Sequence, residues 1–114
     1  MSVRIAVAGT GFFSRFHFDG WSRLGIELVG ICSLEQGPAA DIAKGFPGCR
    51  VFEDFARMRD ETMPELVDIV TPPPTHLGFI EAALGRGIAA ICQKPFCGTL
   101  DDARKAAAMA AETG

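Results

Sequence analysis

The hydrophobic and polar positions of this chain alternate between two periods, one typical of buried strands and the other of amphipathic helices. Runs of β-branched and small apolar residues predict strands at 3–8, 27–32, 50–52, 66–70 and 88–92. Between these runs, apolar residues recur every three or four positions and predict helices at 13–24, 38–46, 53–59, 75–86 and 99–112. In the first helix, the expected apolar positions are Phe13, Phe16, Gly20 and Leu24.

The regular alternation of strand and helix predicts an α/β fold. Strands that follow one another through helices pair in parallel, so we expect a doubly wound, Rossmann-type parallel sheet with helices on both faces. The strands are almost wholly apolar, as expected when both faces of a sheet are covered. No repeat or linker interrupts the pattern, and 114 residues suit a single domain at 1–114.

Composition and charge exclude several classes of protein. The chain is 48% hydrophobic and 22% charged, so it has enough apolar surface to fold. A net charge of -3 gives no basic excess, so we expect neither a nucleic-acid partner nor a membrane partner. There is no signal-peptide pattern, which predicts a cytoplasmic protein. The four cysteines form no CxxC motif and only two histidines accompany them, so we expect reduced thiols and no metal site.

The first candidate for chemistry is the glycine-rich segment 9–14, GTGFFS, between the first strand and the first helix. Gly9 permits a tight turn, and Gly11 lets a pyrophosphate approach the backbone because it has no Cβ. Free N–H groups at the start of the helix favour an anion there. We therefore predict that Gly9, Gly11, Phe12 and Phe13 bind a dinucleotide, with Ser14 in place of the third glycine.

The end of the second strand bears on the choice of dinucleotide. An acidic residue about 20 residues after the glycines commonly holds the ribose 2′-OH. Here Ser33 occupies that place, and Glu35 follows two residues later. The missing carboxylate removes a repulsion against a 2′-phosphate, which favours tolerance of NADP without excluding NAD.

Two further segments follow strands at the edge where ligands bind in such sheets. After the fourth strand, Thr71 and Pro72 are expected to form a rigid wall beside the cofactor, and Thr75 to cap the next helix. His76 in that helix is either structural or catalytic. After the fifth strand, Lys94 is fixed by Pro95. Its ammonium group is either a device that polarises a substrate oxygen or an ordinary surface lysine.

These motifs together resemble a known family. Gly9 and Gly11 with His17, TPPPTH at 71–76, and QKP at 93–95 are similar in order to the N-terminal half of the glucose–fructose oxidoreductase / inositol dehydrogenase (Gfo/Idh/MocA) family. The resemblance spans essentially the whole chain. Members are NAD(P)-dependent oxidoreductases that act mostly on sugars, polyols and related hydroxy compounds. They combine an N-terminal Rossmann domain with a C-terminal α+β domain.

The resemblance implies a role for each motif. The implied cofactor-binding residues are Gly9, Gly11, Phe12, Phe13, Ser33, Thr71, Pro72, His76, Lys94 and Pro95. Lys94 would contact the substrate near the nicotinamide and act as the catalytic residue. Gln93 replaces the usual Glu of the family, and Ser33 replaces the Asp common in NAD-using members.

The resemblance also implies that this chain is the dinucleotide-binding part of a longer enzyme, without the C-terminal α+β domain. A downstream His and Asp would complete proton transfer, so we expect the isolated chain to be inactive, and a homo-oligomer is compatible with the family. One alternative is a non-catalytic nucleotide-binding or interaction module of the same fold. Another is an S-adenosylmethionine-dependent methyltransferase, which segments 71–76 and 93–95 disfavour.

Overall fold

A computed structural model describes residues 3–10, 14–71, 75–92 and 100–113. Strands and helices alternate in these ranges, as predicted. The strands are β1 (Arg4–Ala8), β2 (Glu27–Cys32), β3 (Arg50–Phe52), β4 (Leu66–Ile69) and β5 (Ala89–Cys92). The helices are α1 (Ser14–Arg23), α2 (Gln36–Ala43), α3 (Phe55–Thr62), α4 (His76–Leu84) and α5 (Leu100–Thr113). Within the described ranges, none of these helices is long and apolar enough to cross a bilayer.

The five strands form one parallel sheet in the order β3-β2-β1-β4-β5. The chain winds outward from β1 to β3, then returns to place β4 on the other side of β1. Val7 of β1 therefore lies opposite both Ile31 of β2 and Asp68 of β4. The doubly wound Rossmann-type prediction is confirmed, and the carboxyl ends of all strands meet at one edge.

Side chains of β1 alternate between two hydrophobic clusters, one on each face of the sheet. Ile5 and Val7 point to a cluster that includes Phe18 of α1 and Ala39 of α2. Ala6 and Ala8 point to the opposite cluster, which α3, α4 and α5 cover with Phe55, Met58, Ile80, Ala83 and Ala106. Small residues on one side of β1 and larger ones on the other let helices pack closely on both faces.

Several predicted helix boundaries shift by a few residues. Helix α2 begins at Gln36, so Pro38 still lies in the first turn, where a missing N–H costs nothing. Helix α3 begins later than predicted because Asp54 caps it: its carboxylate accepts a hydrogen bond from the backbone N–H of Arg57 at 3.1 Å.

The expected apolar face of α1 is wrong, although the helix itself is present. Phe16 is 59% exposed and Leu24 is 68% exposed, whereas Phe18 is only 5% exposed. Phe13 lies outside the described residues. The helix turns His17 and Trp21 towards the sheet because both side chains bond to a buried carboxylate. Polar contacts override the hydrophobic periodicity here.

Candidate functional site

The site begins where β1 ends, at a glycine that no other residue can easily replace. Gly9 has φ +107°, and a Cβ built on it would lie 2.7 Å from the carbonyl oxygen of Val70. Its N–H donates to the carbonyl oxygen of Cys32 at 2.8 Å, and the N–H of Val70 donates to Ala8 at 2.8 Å. The ends of β1, β2 and β4 are therefore drawn together around Gly9.

Beyond this turn lies the segment predicted to hold the pyrophosphate. Gly11, Phe12 and Phe13 lie outside the described residues, so their contacts with a cofactor stay a prediction. Helix α1 begins directly afterwards at Ser14, and its first turn carries no acidic residue. The start of α1 thus offers backbone N–H groups without a nearby carboxylate in that turn, an arrangement that suits a phosphate group.

Ser33, the residue predicted at the ribose, is 7% exposed and uses its hydroxyl within the protein. Its Oγ lies 2.7 Å from Oγ1 of Thr10 and accepts a hydrogen bond from the N–H of Glu35 at 3.0 Å. Ser33 thereby ties the turn after β1 to the turn after β2. Its contact with a ribose stays a prediction.

Gln36 is a residue of this edge that sequence analysis missed. Its Nε2 donates to the carbonyl oxygens of Ser33 at 2.5 Å and Phe52 at 3.1 Å. The amide thus closes the gap between the ends of β2 and β3. In the sequence, Gln36 stands at the start of a helix that follows a strand. This pattern is too common to single out Gln36 as a site residue. Leu34, which follows Ser33 directly in the sequence, is 89% exposed.

A buried histidine fixes the position of Thr71, which follows β4. His76 is 0% exposed, and its Nε2 donates to the carbonyl oxygen of Thr71 at 2.6 Å. Thr75 occupies the cap position of α4, but its hydroxyl makes no capping bond and instead donates to Oγ1 of Thr71 at 2.5 Å. Thr75 therefore stands at the predicted cap position, without a capping bond from its hydroxyl. Both residues fix Thr71 at the carboxyl edge.

Three predicted site residues lie outside the described part of the chain. Pro72 follows Thr71, and Lys94 and Pro95 follow β5. Strand β5 ends at Cys92, paired with Ile69 of β4. The carboxyl end of β5 therefore lies at the same edge of the sheet as the carboxyl end of β4. The roles of these three residues stay predictions.

A second feature missed by sequence analysis lies under the first turns of α1. Asp68, within β4, is 0% exposed. Its Oδ2 lies 2.6 Å from Nδ1 of His17 and accepts a hydrogen bond from Nε1 of Trp21 at 2.9 Å. An aspartate inside an apolar strand was the available signal, because this residue type is almost never fully buried without a partner.

Two thiols within the described ranges, those of Cys32 and Cys49, are poorly reactive. Cys32 is buried and Cys49 is half-buried. Burial raises the pKa of Cys49 to about 11, and burial with the charge of Asp54 raises the pKa of Cys32 to about 11. Thiols this weakly acidic hold little thiolate at neutral pH. In the same ranges, no three His, Cys, Asp or Glu residues come together as a metal site.

Comparison with known proteins identifies the family. Residues 3–114 match the model of the Gfo/Idh/MocA oxidoreductase family, described as an NAD-binding Rossmann fold. The chain belongs to this family. The resemblance inferred from the glycine, TPPPTH and QKP motifs is thus confirmed.

Individual members of the Gfo/Idh/MocA family resemble the chain over nearly its whole length. D-apiose dehydrogenase of Paraburkholderia graminis is 38% identical over 96% of this chain, which spans 29% of that protein. Inositol 2-dehydrogenase of Mycolicibacterium smegmatis is 30% identical over 98% of this chain, which spans 33% of that protein. The chain therefore has about a third of the length of these relatives.

A solved structure also matches the fold of the chain. An oxidoreductase from Agrobacterium radiobacter in complex with NAD+, L-tartaric acid and magnesium superposes with a TM-score of 0.90. It is 26% identical to the chain, covers 99% of it, and is itself covered over 33% of its length.

Proposed function

We propose that this chain binds a nicotinamide dinucleotide at the carboxyl edge of its sheet, as the dinucleotide-binding domain, residues 1–114, of a longer oxidoreductase. The observation that carries the proposal is the Gly9 turn. Its positive φ and its close contact with Val70 leave room only for glycine, and the chain then enters α1 in the order of a dinucleotide-binding unit.

The residues at this edge fit such a cofactor. Backbone N–H groups at the start of α1 would hold the pyrophosphate, with Gly11 permitting the closest approach. Thr10 and Ser33 supply hydroxyls between the ends of β1 and β2. Thr71, Pro72 and Pro95 would border the nicotinamide end. The cofactor supplies the hydride chemistry when it is bound, and these residues bind and orient it.

For the parent reaction, we propose hydride transfer between a hydroxyl-bearing carbon of a sugar or polyol and the nicotinamide. Relatives named as apiose, inositol and UDP-N-acetylglucosamine dehydrogenases support this substrate class. Lys94 would orient the reacting oxygen. Because the chain spans 29% of its apiose dehydrogenase relative, we propose that residues outside this chain hold the substrate, and that the chain alone binds cofactor without turnover.

The choice between NAD and NADP follows from the end of β2. No carboxylate stands at position 33, and the Ser33 hydroxyl already bonds to Thr10 and Glu35. A 2′-phosphate would meet no negative charge from that position. We therefore propose that the site accepts NADP(H) as well as NAD(H), although Glu35 two residues later limits how strongly it favours the phosphate.

Calorimetric titration of the chain with NADH, NADPH and S-adenosylmethionine tests the proposal. We expect saturable binding of at least one nicotinamide cofactor and none of S-adenosylmethionine. An assay of NAD(P)+ reduction with a panel of sugars and polyols should show no turnover. Binding of S-adenosylmethionine alone, or of none of the three, would refute the proposal. Substrate-dependent turnover that is lost in Lys94→Ala would show that this chain already holds the catalytic apparatus.

A further inference from the structure

The described residues contain one fully buried carboxylate whose role the cofactor site does not explain. Asp68 lies within β4, between β1 and β5, and is 0% exposed. Its neighbours in the strand are apolar. Burying a carboxylate is costly unless donors compensate it, and an apolar side chain would serve simple packing at least as well. Packing therefore does not explain why an aspartate occupies this position.

Two donors to this carboxylate, both described by the structure, come from one helix and converge on one atom. Nδ1 of His17 and Nε1 of Trp21 lie 2.6 Å and 2.9 Å from Oδ2 of Asp68. Within the described ranges, the other oxygen, Oδ1, is buried and has no hydrogen-bond partner. His17 and Trp21 are four residues apart, so they lie one turn apart on the same side of α1.

Two bonds to a single atom fix a helix more narrowly than apolar contact does. Hydrophobic packing tolerates small rotations and sliding, whereas hydrogen bonds weaken steeply with distance and angle. A rotation of α1 about its axis or a slide along it would stretch the bond from His17 or from Trp21. The cluster therefore sets both the rotation and the axial position of α1 against β4.

The position of α1 affects the predicted cofactor site because His17 lies close to that site. It is in the first turn of α1, which begins at Ser14, directly after the glycine-rich segment. Asp68 pairs with Val7, two residues before the Gly9 turn, and Gly9 itself is packed against Val70. The cluster thus joins the two elements that frame the predicted phosphate-binding turn.

We propose that His17 and Asp68, with Trp21, are positioning residues that hold the start of α1 in register for the dinucleotide pyrophosphate. The inference rests on the proposed function. The cluster touches no cofactor atom itself. It keeps the backbone N–H groups of the first turn in place before the cofactor arrives, which lowers the ordering cost of binding.

Variants at His17 separate positioning from simple stability. His17→Leu removes the donor, whereas His17→Asn keeps an N–H near the position of Nδ1. Met58→Ala serves as the matched control, because Met58 is 0% exposed and packs on the opposite face of the sheet. Trp21→Phe removes only the second donor and gives a further test if His17→Leu does not fold.

We expect His17→Leu to raise the Kd for the nicotinamide cofactor that the wild type binds by about tenfold, and His17→Asn to restore it to within about threefold. Met58→Ala should lower the melting temperature without changing that Kd. Amide hydrogen exchange should speed up at residues 18–21, whose N–H groups bond to the carbonyls of the first turn of α1, in His17→Leu and Trp21→Phe, but not in Met58→Ala. Equal weakening of binding by Met58→Ala, or unchanged exchange and Kd in the other two variants, would overturn the inference.

The same experiment separates this inference from the proposed function. A wild-type chain that binds no nicotinamide cofactor would refute the function and, with it, the link to the pyrophosphate. Exchange at residues 18–21 would still decide whether the cluster fixes the start of α1. Normal cofactor binding in His17→Leu would leave the function standing and refute the positioning role.

Discussion

Replacing Gly9 by alanine should destabilise the chain far more than the same change at Gly20 or Gly25. Two costs act together at this position. The backbone has φ +107°, a conformation that L-residues rarely adopt, and the new Cβ would lie 2.7 Å from the carbonyl oxygen and 2.9 Å from the carbonyl carbon of Val70. Neither atom is the end of a flexible side chain, so β4 itself would have to move.

The magnitude follows from two matched glycines. Gly25 has φ +66° but no atom within 4 Å of its would-be Cβ, so Gly25→Ala meets only the dihedral cost, about 1–2 kcal/mol. Gly20 lies within helix α1, again with nothing within 4 Å, so Gly20→Ala should stabilise by about 0.5–1 kcal/mol. Gly9→Ala adds about 1–3 kcal/mol of overpacking to the dihedral cost, or about 2–5 kcal/mol in total.

Urea and thermal unfolding followed by circular dichroism would measure all three variants under one set of conditions. Since 1 kcal/mol shifts the melting temperature of a small domain by about 4–8 °C, Gly9→Ala should lower it by about 10 °C or more. The difference between Gly9→Ala and Gly25→Ala isolates the contact with Val70. If the two variants lose the same stability, the close contact of β1 with β4 does not constrain this turn, and the argument for Gly9 fails.

Other predictions concern the cofactor and the thiols. Ser33→Asp should shift the ratio of the Kd values for NADPH and NADH towards NADH by about tenfold, because a carboxylate repels a 2′-phosphate; a wild type that already binds NADH far more tightly than NADPH would contradict the reasoning. Gly11→Val should weaken cofactor binding in calorimetry more than it lowers the melting temperature, and an unchanged Kd would remove Gly11 from the site. The pKa of Cys32 is raised from 9.0 to about 11 on folding. The unfolded chain therefore ionises first, and stability should fall as the pH rises from 9 to 11. Cys49, whose pKa is also raised to about 11, contributes to the same fall. Cys32→Ala should therefore lessen the fall in a thermal melt, and an unaltered slope would contradict the reasoning.

The fold was predictable because local pattern and global topology agree in this chain. Strands β2 and β3 have the predicted bounds, and the other predicted strands extend only one residue too far. Runs of β-branched residues between glycine and proline turns carry that information locally. Helix ends were less predictable, because they depend on contacts such as the Asp54 cap of α3, which only the folded chain reveals.

The order of site segments was also predictable, since parallel strands place their following loops at one edge. The role of each side chain at that edge was less predictable. The bonds of the Ser33 hydroxyl to Thr10 and Glu35 were not predicted, and its contact with a ribose stays a prediction. Hydrogen bonds between turns that lie far apart in sequence leave no periodic trace, so sequence pattern alone does not show how a hydroxyl is used.

The α1 face shows the physical origin of the largest error. Hydrophobic periodicity assumes that the buried side of a helix is its apolar side, which predicted Phe16 inward, yet Phe16 is 59% exposed. A buried carboxylate on the facing strand changes the balance, because leaving Asp68 without donors would cost more than exposing one aromatic ring. His17 and Trp21 supply those donors, and the helix rotates to bring them there. An aspartate in an apolar strand should therefore prompt a search for donors one turn apart on a helix that packs on the same face of the sheet, before the apolar face of that helix is assigned.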